Sequence, residues 1–220
     1  MSGKRRGVRW ETALALAVIL GLGLILGGCA AATVGEVKQT GPIVLQPVQP
    51  QPDTSKIKSG LAVYYFRNLY KSIYEIPKGK YMLMEGKPGP PLAQLNHRFG
   101  PDQKIFDSGL TMGVGMFIYG YLRFPKAGEY RFQAMANDGV RLLLSGQMIL
   151  NDPFVHGDKV TGPTTVTVNE AGLYEFQMFY YQKKGTARLE LHWQTPDMTD
   201  FKPVPPEAFA HLPGKPPVEL

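Results

Sequence analysis

Three aspartates, a histidine and a lysine hold most of the chemistry this sequence could perform. Asp138 lies in Asn137-Asp138-Gly139; Asp152, His156 and Asp158 lie in the run Asn-Asp-Pro-Phe-Val-His-Gly-Asp-Lys-Val-Thr-Gly-Pro at 151–163; Lys183 lies in the short stretch 182–185. Carboxylates gathered in one place would supply the hard oxygens that Ca2+ takes at six to eight positions. His156 could add a metal ligand or an acid–base group. The same residues are also good turn formers, since Asn, Asp and Gly tolerate positive φ and Asp152 precedes Pro153. Metal or binding chemistry therefore requires that three segments far apart in the chain meet.

The elements that would bring them together are strands. In 129–146, Tyr130, Phe132, Ala134 and Ala136 share one parity and Glu129, Arg131 and Gln133 the other, which marks a half-buried strand. Val140, Leu142 and Leu144 resume the alternation after Asn137-Asp138-Gly139, so the stretch predicts a β-hairpin with a carboxylate at its tip. Residues 61–66, 116–124, 147–150, 164–168, 173–181 and 186–193 read as further strands, with 80–84 a weaker candidate. Residues 86–91 read as turns and 96–108 as irregular. Gly120, in mid-strand, marks a bulge or a close backbone approach. Antiparallel strands place successive connections at alternate ends. Asn137-Asp138, the 151–163 loop and 182–185 then share one end, the top, while Ser145-Gly146 and 169–172 lie at the bottom. No segment after residue 28 keeps a helical period, so the fold class is all-β, an antiparallel sandwich or barrel.

At 220 residues, with 44% hydrophobic residues, 25 Gly and 19 Pro, the chain suits one mid-sized β-rich domain with tails. Its formal charge of +6 is less basic than it looks, because Lys4, Arg5, Arg6 and Arg9 against Glu11 supply +3 of it. No clustered basic stripe speaks for nucleic acid.

The basic head and the uncharged run 12–28 end in Leu26-Gly27-Gly28-Cys29, which resembles a bacterial lipoprotein signal. The resemblance implies that Cys29 becomes the acylated N-terminus and anchors the chain to a lipid bilayer. Ala30 after it implies sorting to the outer membrane of a two-membrane cell envelope. Cys29 is the single cysteine, so no disulfide forms within one chain. Residues 30–59, with Pro42, Pro47, Pro50 and Pro52, read as an extended tether. The divisions expected are thus 1–28 signal peptide, 29–59 lipidated cysteine and tether, 60–205 β domain and 206–220 Pro-rich tail.

Gly128-Glu-Tyr-Arg-Phe, Asn137-Asp138-Gly139-Val140-Arg141-Leu142, Ala171-Gly172-Leu173-Tyr174, Tyr180-Tyr181 and 185–193, Gly-Thr-Ala-Arg-Leu-Glu-Leu-His-Trp, together resemble the PA-fourteen domain. The resemblance runs over about 60–205. It implies a β-sandwich or barrel that often binds carbohydrate. It also implies, for lectin members, an Asp-Asp pair joined by a cis peptide that holds Ca2+ completed by sugar hydroxyls. Here that pair is Asn137 and Asp138. An amide oxygen can ligate but brings no charge, which weakens the Ca2+ expectation, and Asp152 or Asp158 would restore the charge. Tyr180, Tyr181 and Trp193 could stack on a sugar, with Tyr181 the exposed candidate.

Catalytic patterns are missing: there is no Gly-x-Ser-x-Gly and no His-Glu-x-x-His, and the lone cysteine is expected to be lipidated. The sequence thus points to a non-enzymatic envelope lipoprotein. It would bind glycan through Asn137, Asp138, Asp152, Asp158, His156, Tyr181 and Lys183, with Ca2+ assisting, or else bind another envelope protein in a structural role.

Overall fold

Strict alternation of large apolar residues builds two facing sheets, seen in a computed structural model that describes residues 41–214. In chain order the strands are β1 (Ile43–Leu45), β2 (Lys58–Ser59), β3 (Leu61–Arg67), β4 (Lys87–Leu92), β5 (Asn96–Phe99), β6 (Val114–Phe124) and β7 (Gly128–Asn137). They continue as β8 (Val140–Leu144), β9 (Gln147–Asp152), β10 (Lys159–Val168), β11 (Gly172–Gln182), β12 (Ala187–Gln194), β13 (Lys202–Pro203) and β14 (Phe209–His211). One sheet has the order β1-β10-β7-β12-β13, with β5 also on β12. The other runs β2-β14-β6-β11-β8-β9, with β3 on β6 and β4 on β3. Every pairing is antiparallel except β1 with β10. This is the all-β sandwich that the alternation predicts.

The inward parities are those read from the sequence. Tyr130, Phe132, Ala134 and Ala136 of β7 face Val140, Leu142 and Leu144 of β8 across one core, joined by Leu189, Leu191 and Trp193 of β12. The hairpin expected at 129–146 is not formed. β7 belongs to the first sheet and β8 to the second, so Asn137-Asp138-Gly139 carries the chain from one layer to the other. Alternation cannot separate the two cases. What decides is that the two apolar faces bury each other, whereas in a hairpin both would lie on one face and need a third partner.

A second apolar cluster lies on the other side of the second sheet, where Phe66, Tyr70, Ile73, Ile76 and Met82 cover Phe117, Tyr119, Phe179 and Tyr181. The short helix α1 (Lys80–Glu85) belongs to this cover and stands where a weak strand was expected. Met82 alone of its six residues is buried, and Gly79 and Gly86 bracket it. Residues 87–92, expected as turns, form β4 instead, an edge strand where the missing N–H groups of Pro88, Pro90 and Pro91 cost least.

Both ends of the body lie outside the limits read from composition. β1 falls within the stretch read as tether, with Ile43 and Leu45 buried against β10. Val48 N–H then donates to Leu173 O, and Gln51 brackets the backbone of Leu173, accepting from its N–H and donating to its carbonyl. At the other end Phe209, Ala210 and His211 are buried in β14, inside the stretch read as tail. Proline frequency concealed the buried residues of both segments. Gly120 is the close approach that its mid-strand position suggested: φ is +151° and a Cβ there would lie 2.3 Å from Ala210 O.

Candidate functional site

Three connections meet at the top of the sandwich: 137–139 between β7 and β8, 153–158 between β9 and β10, and 183–186 between β11 and β12. The middle one is shorter than the thirteen residues expected, because β10 begins at Lys159 and absorbs Gly162-Pro163 in a bulge.

Asp138 ties the three together. Its carboxylate is 4% exposed; Oδ1 accepts from His156 N–H at 3.1 Å and Oδ2 from Lys183 N–H at 2.7 Å. Its own N–H donates to Tyr181 O, and Tyr181 N–H donates to Gly139 O. The peptide between Asn137 and Asp138 is cis. From the second sheet, the fully buried Tyr180 hydroxyl donates to Asn137 O at 2.6 Å. A Cβ on Gly139 would lie 2.5 Å from the Tyr181 ring, so the crossing passes directly over that side chain. Burial pushes the Asp138 carboxyl above its ordinary value of 3.8, partly offset by the two N–H donors and by the nearby His156 and Lys183.

Asp158 forms the outer edge. Its Oδ1 accepts from Asn137 Nδ2 at 3.2 Å and its Oδ2 from Arg188 Nη1 at 3.0 Å, with Arg98 Nη2 at 4.0 Å. Asn137 Nδ2 also donates to Thr186 Oγ1 at 3.1 Å. Arg188 forks onto Glu190 as well, through Nε and Nη2 at 2.6 and 3.0 Å. Burial opposes the charge on Asp158, but Arg188, Asn137 and Arg98 together hold its carboxyl below 3.8. Asp152 is likewise held low against its burial, by Lys159 Nζ at 2.7 Å and Thr161 Oγ1 at 2.9 Å, with His156 nearby. The His156 ring lies between the loops, with Nδ1 donating to Gly157 O at 2.6 Å and Nε2 3.4 Å from Asp152 Oδ2.

Asn137, Asp138, His156, Asp158 and Lys183 are therefore brought into one network, and Asp152 joins it through His156. The three aspartates reach one end of the molecule but not one point. Among the described residues, no three His, Cys, Asp or Glu side chains are grouped to hold a metal ion. Tyr181, expected to be exposed, is completely buried beneath Tyr70 and the cover over the second sheet, so its ring is closed to any ligand. The exposed apolar residues at the top are instead Phe154 and Val155, 61% and 47% exposed. Their signal was two consecutive large apolar residues inside a polar loop. Arg188 was not expected; its one signal was its place as the outward residue of β12 closest to the top turn. Cys29 lies outside the described residues.

The two-sheet body with three connections tied at one end defines a PA14-type β domain. Residues 114–206 match the family model of the PA14 domain. Among solved structures, the chain is similar to the Epithelial Adhesin 9 A domain from Candida glabrata in complex with Galb1-3GlcNAc. The two are 12% identical with a TM-score of 0.60, over 80% of this chain and 99% of that one. It is similar to the PA14 sugar-binding domain from an RTX adhesin, at 16% identity and a TM-score of 0.51, over 70% and 98%. It is also similar to an anti-sigma factor domain-containing protein from Clostridium clariflavum, at 21% identity and a TM-score of 0.53, over 69% and 47%. The chain thus spans about half the length of the anti-sigma factor domain-containing proteins it matches. Identities this low speak for the fold. No curated protein matches the sequence.

Proposed function

We propose that this chain is a carbohydrate-binding module, held on the bacterial cell envelope by acylated Cys29, whose top loops take glycan without turning it over. The observation that carries the reading is the rim itself. Asp138 locks connections from both sheets into one rigid edge, and Phe154 stands exposed beside it on a segment anchored by Ile73 N–H to Pro153 O. An exposed aromatic ring on a fixed loop offers an apolar face to the C–H face of a sugar, and neighbouring backbone and side-chain polar groups meet its hydroxyls. The fold relatives support the reading, since one is described as a sugar-binding domain and another is in complex with a disaccharide.

The test is a glycan array probed with the full chain and with Phe154→Ala. Retention of a defined glycan class by the wild type, reduced at least tenfold in the variant, is the expected result. A blank array, or retention indifferent to Phe154, would refute the assignment. A blank array with a single protein partner returned by proximity crosslinking in cells would favour the structural lipoprotein instead. Acylation is read separately, from the mass of the N-terminal peptide and from loss of membrane association in Cys29→Ser; its ordinary sorting would place the protein on the outer membrane.

A further inference from the structure

We infer that the rim works without calcium, because groups of the chain itself occupy the electrostatic role the ion would have. The inference rests on the glycan reading for the identity of the ligand, but its charge argument stands on the rim alone.

A calcium ion needs six to eight oxygens at about 2.3–2.6 Å, several of them anionic. The residues present do not fit it. Both oxygens of Asp138 are engaged by backbone N–H groups, from His156 and Lys183, that join the three connections. Even with its remaining lone pairs Asp138 can offer an ion two oxygens at most, well short of six to eight. Asn137 presents the wrong end of its amide. The Asp158 carboxylate can only accept, so the group 3.2 Å from it is the Asn137 nitrogen, and the hydrogens of that amide point at the edge where a metal would need oxygen. Asp158, the remaining anion beside Asn137, is taken by Arg188, whose side chain is only 17% exposed and which is held on its far side by Glu190. A divalent ion at Asp158 would meet a guanidinium already paired there. Asp152, the third carboxylate, is neutralised by Lys159.

Arg188 is thus a positioning residue. Through Asp158 and Asn137 it fixes the outer edge of the rim from the side, as an ion would from the centre. The pairing is also lodged in the sheet, because Arg188 lies opposite Asn137 in the β7–β12 register and opposite Arg98 in the β5–β12 register. Two arginines facing each other across a strand pair repel, and Asp158 is the group that lies against both.

The experiment is calorimetric titration of CaCl2 into the ligand-free full chain, with thermal unfolding in calcium and in EDTA. The wild type is expected to give no saturable heat up to 10 mM and a midpoint shift below about 1 °C. Arg188→Gln, which removes the internal cation and frees Asp158, is expected to acquire a calcium-dependent rise in midpoint, while Arg188→Lys stays indifferent. Saturable calcium binding by the wild type overturns the inference, and this arm needs no variant. So does an Arg188→Gln protein as indifferent to calcium as the wild type, because Arg188 would then not be what fills the ion's place. If Arg188→Gln folds poorly, its refolding yield in calcium against EDTA reads the same question. Because no sugar is present, the outcome is separate from that of the glycan array.

Discussion

Removing one oxygen atom from the core should loosen the rim measurably. Tyr180 reaches from the second sheet to donate its hydroxyl to Asn137 O. Tyr180→Phe keeps the ring and its packing but removes one hydrogen bond to that carbonyl in a fully buried place. A lost buried hydrogen bond whose acceptor keeps its strand partner costs about 1.5 kcal/mol at the upper end. For a body of this size each kcal/mol lowers the melting midpoint by about 2–4 °C, which gives a drop of about 3–6 °C. Thermal unfolding of the full chain by circular dichroism reads this directly. Tyr174→Phe is the control, since the Tyr174 hydroxyl donates to Glu170 O at the bottom in a part-buried setting where water can replace it. A Tyr180→Phe midpoint within about 1 °C of wild type, or no lower than that of Tyr174→Phe, would refute the view that this hydroxyl holds the crossing between sheets.

Asp138 and Asp158 should affect acid stability with opposite signs. The Asp158 carboxyl is held below 3.8, so its contribution is present above that value and lost as the pH falls through its lower folded value; the wild-type advantage over Asp158→Asn should vanish there. The Asp138 carboxyl is pushed above 3.8, so its contribution is present below 3.8 and lost as the pH rises through the raised value; Asp138→Asn should gain relative to wild type across that interval. Midpoints measured against pH that moved in the same direction for both variants would contradict the two assignments. Gly120→Ala should cost about 2 kcal/mol by driving a methyl into Ala210 O and displacing β14, read as a lower midpoint and faster amide exchange at Ala210. Phe154→Ala should leave the midpoint within about 1 °C, separating its binding role from stability.

Strand positions and facing parities were legible because single-sided burial imposes a period of two, and β12 shows it without exception. Counting connections was enough to place Asp138, Asp152 and Asp158 at one end. Layer membership was not legible: the residues of β7 and β8 carry the same alternation whether the strands pair side by side or face each other. Tyr181 was misjudged for a related reason. Parity assigns a side of the sheet, and the outer side of this sheet is covered by residues 66–82, whose burial depends on chain reversals that no local pattern reveals. The arginine and lysine partners of the carboxylates depend on cross-strand register, fixed here by a bulge between Thr161 and Thr164.

The first and last strands of the second sheet are stitched to one another. β2 pairs with β14, Gly60 N–H donates to Phe209 O, and the buried His211 ring lies 2.9 Å from Gly60 O. A single seam therefore closes that sheet, while β1 is held separately on β10. A protease trimming inward past His211 would release Lys58 and Ser59 with it and unpick the run into β3, and clipping before Ser59 would strip β14 of one of its two neighbours. Such a hem makes the second sheet resistant to nibbling from its C-terminal side.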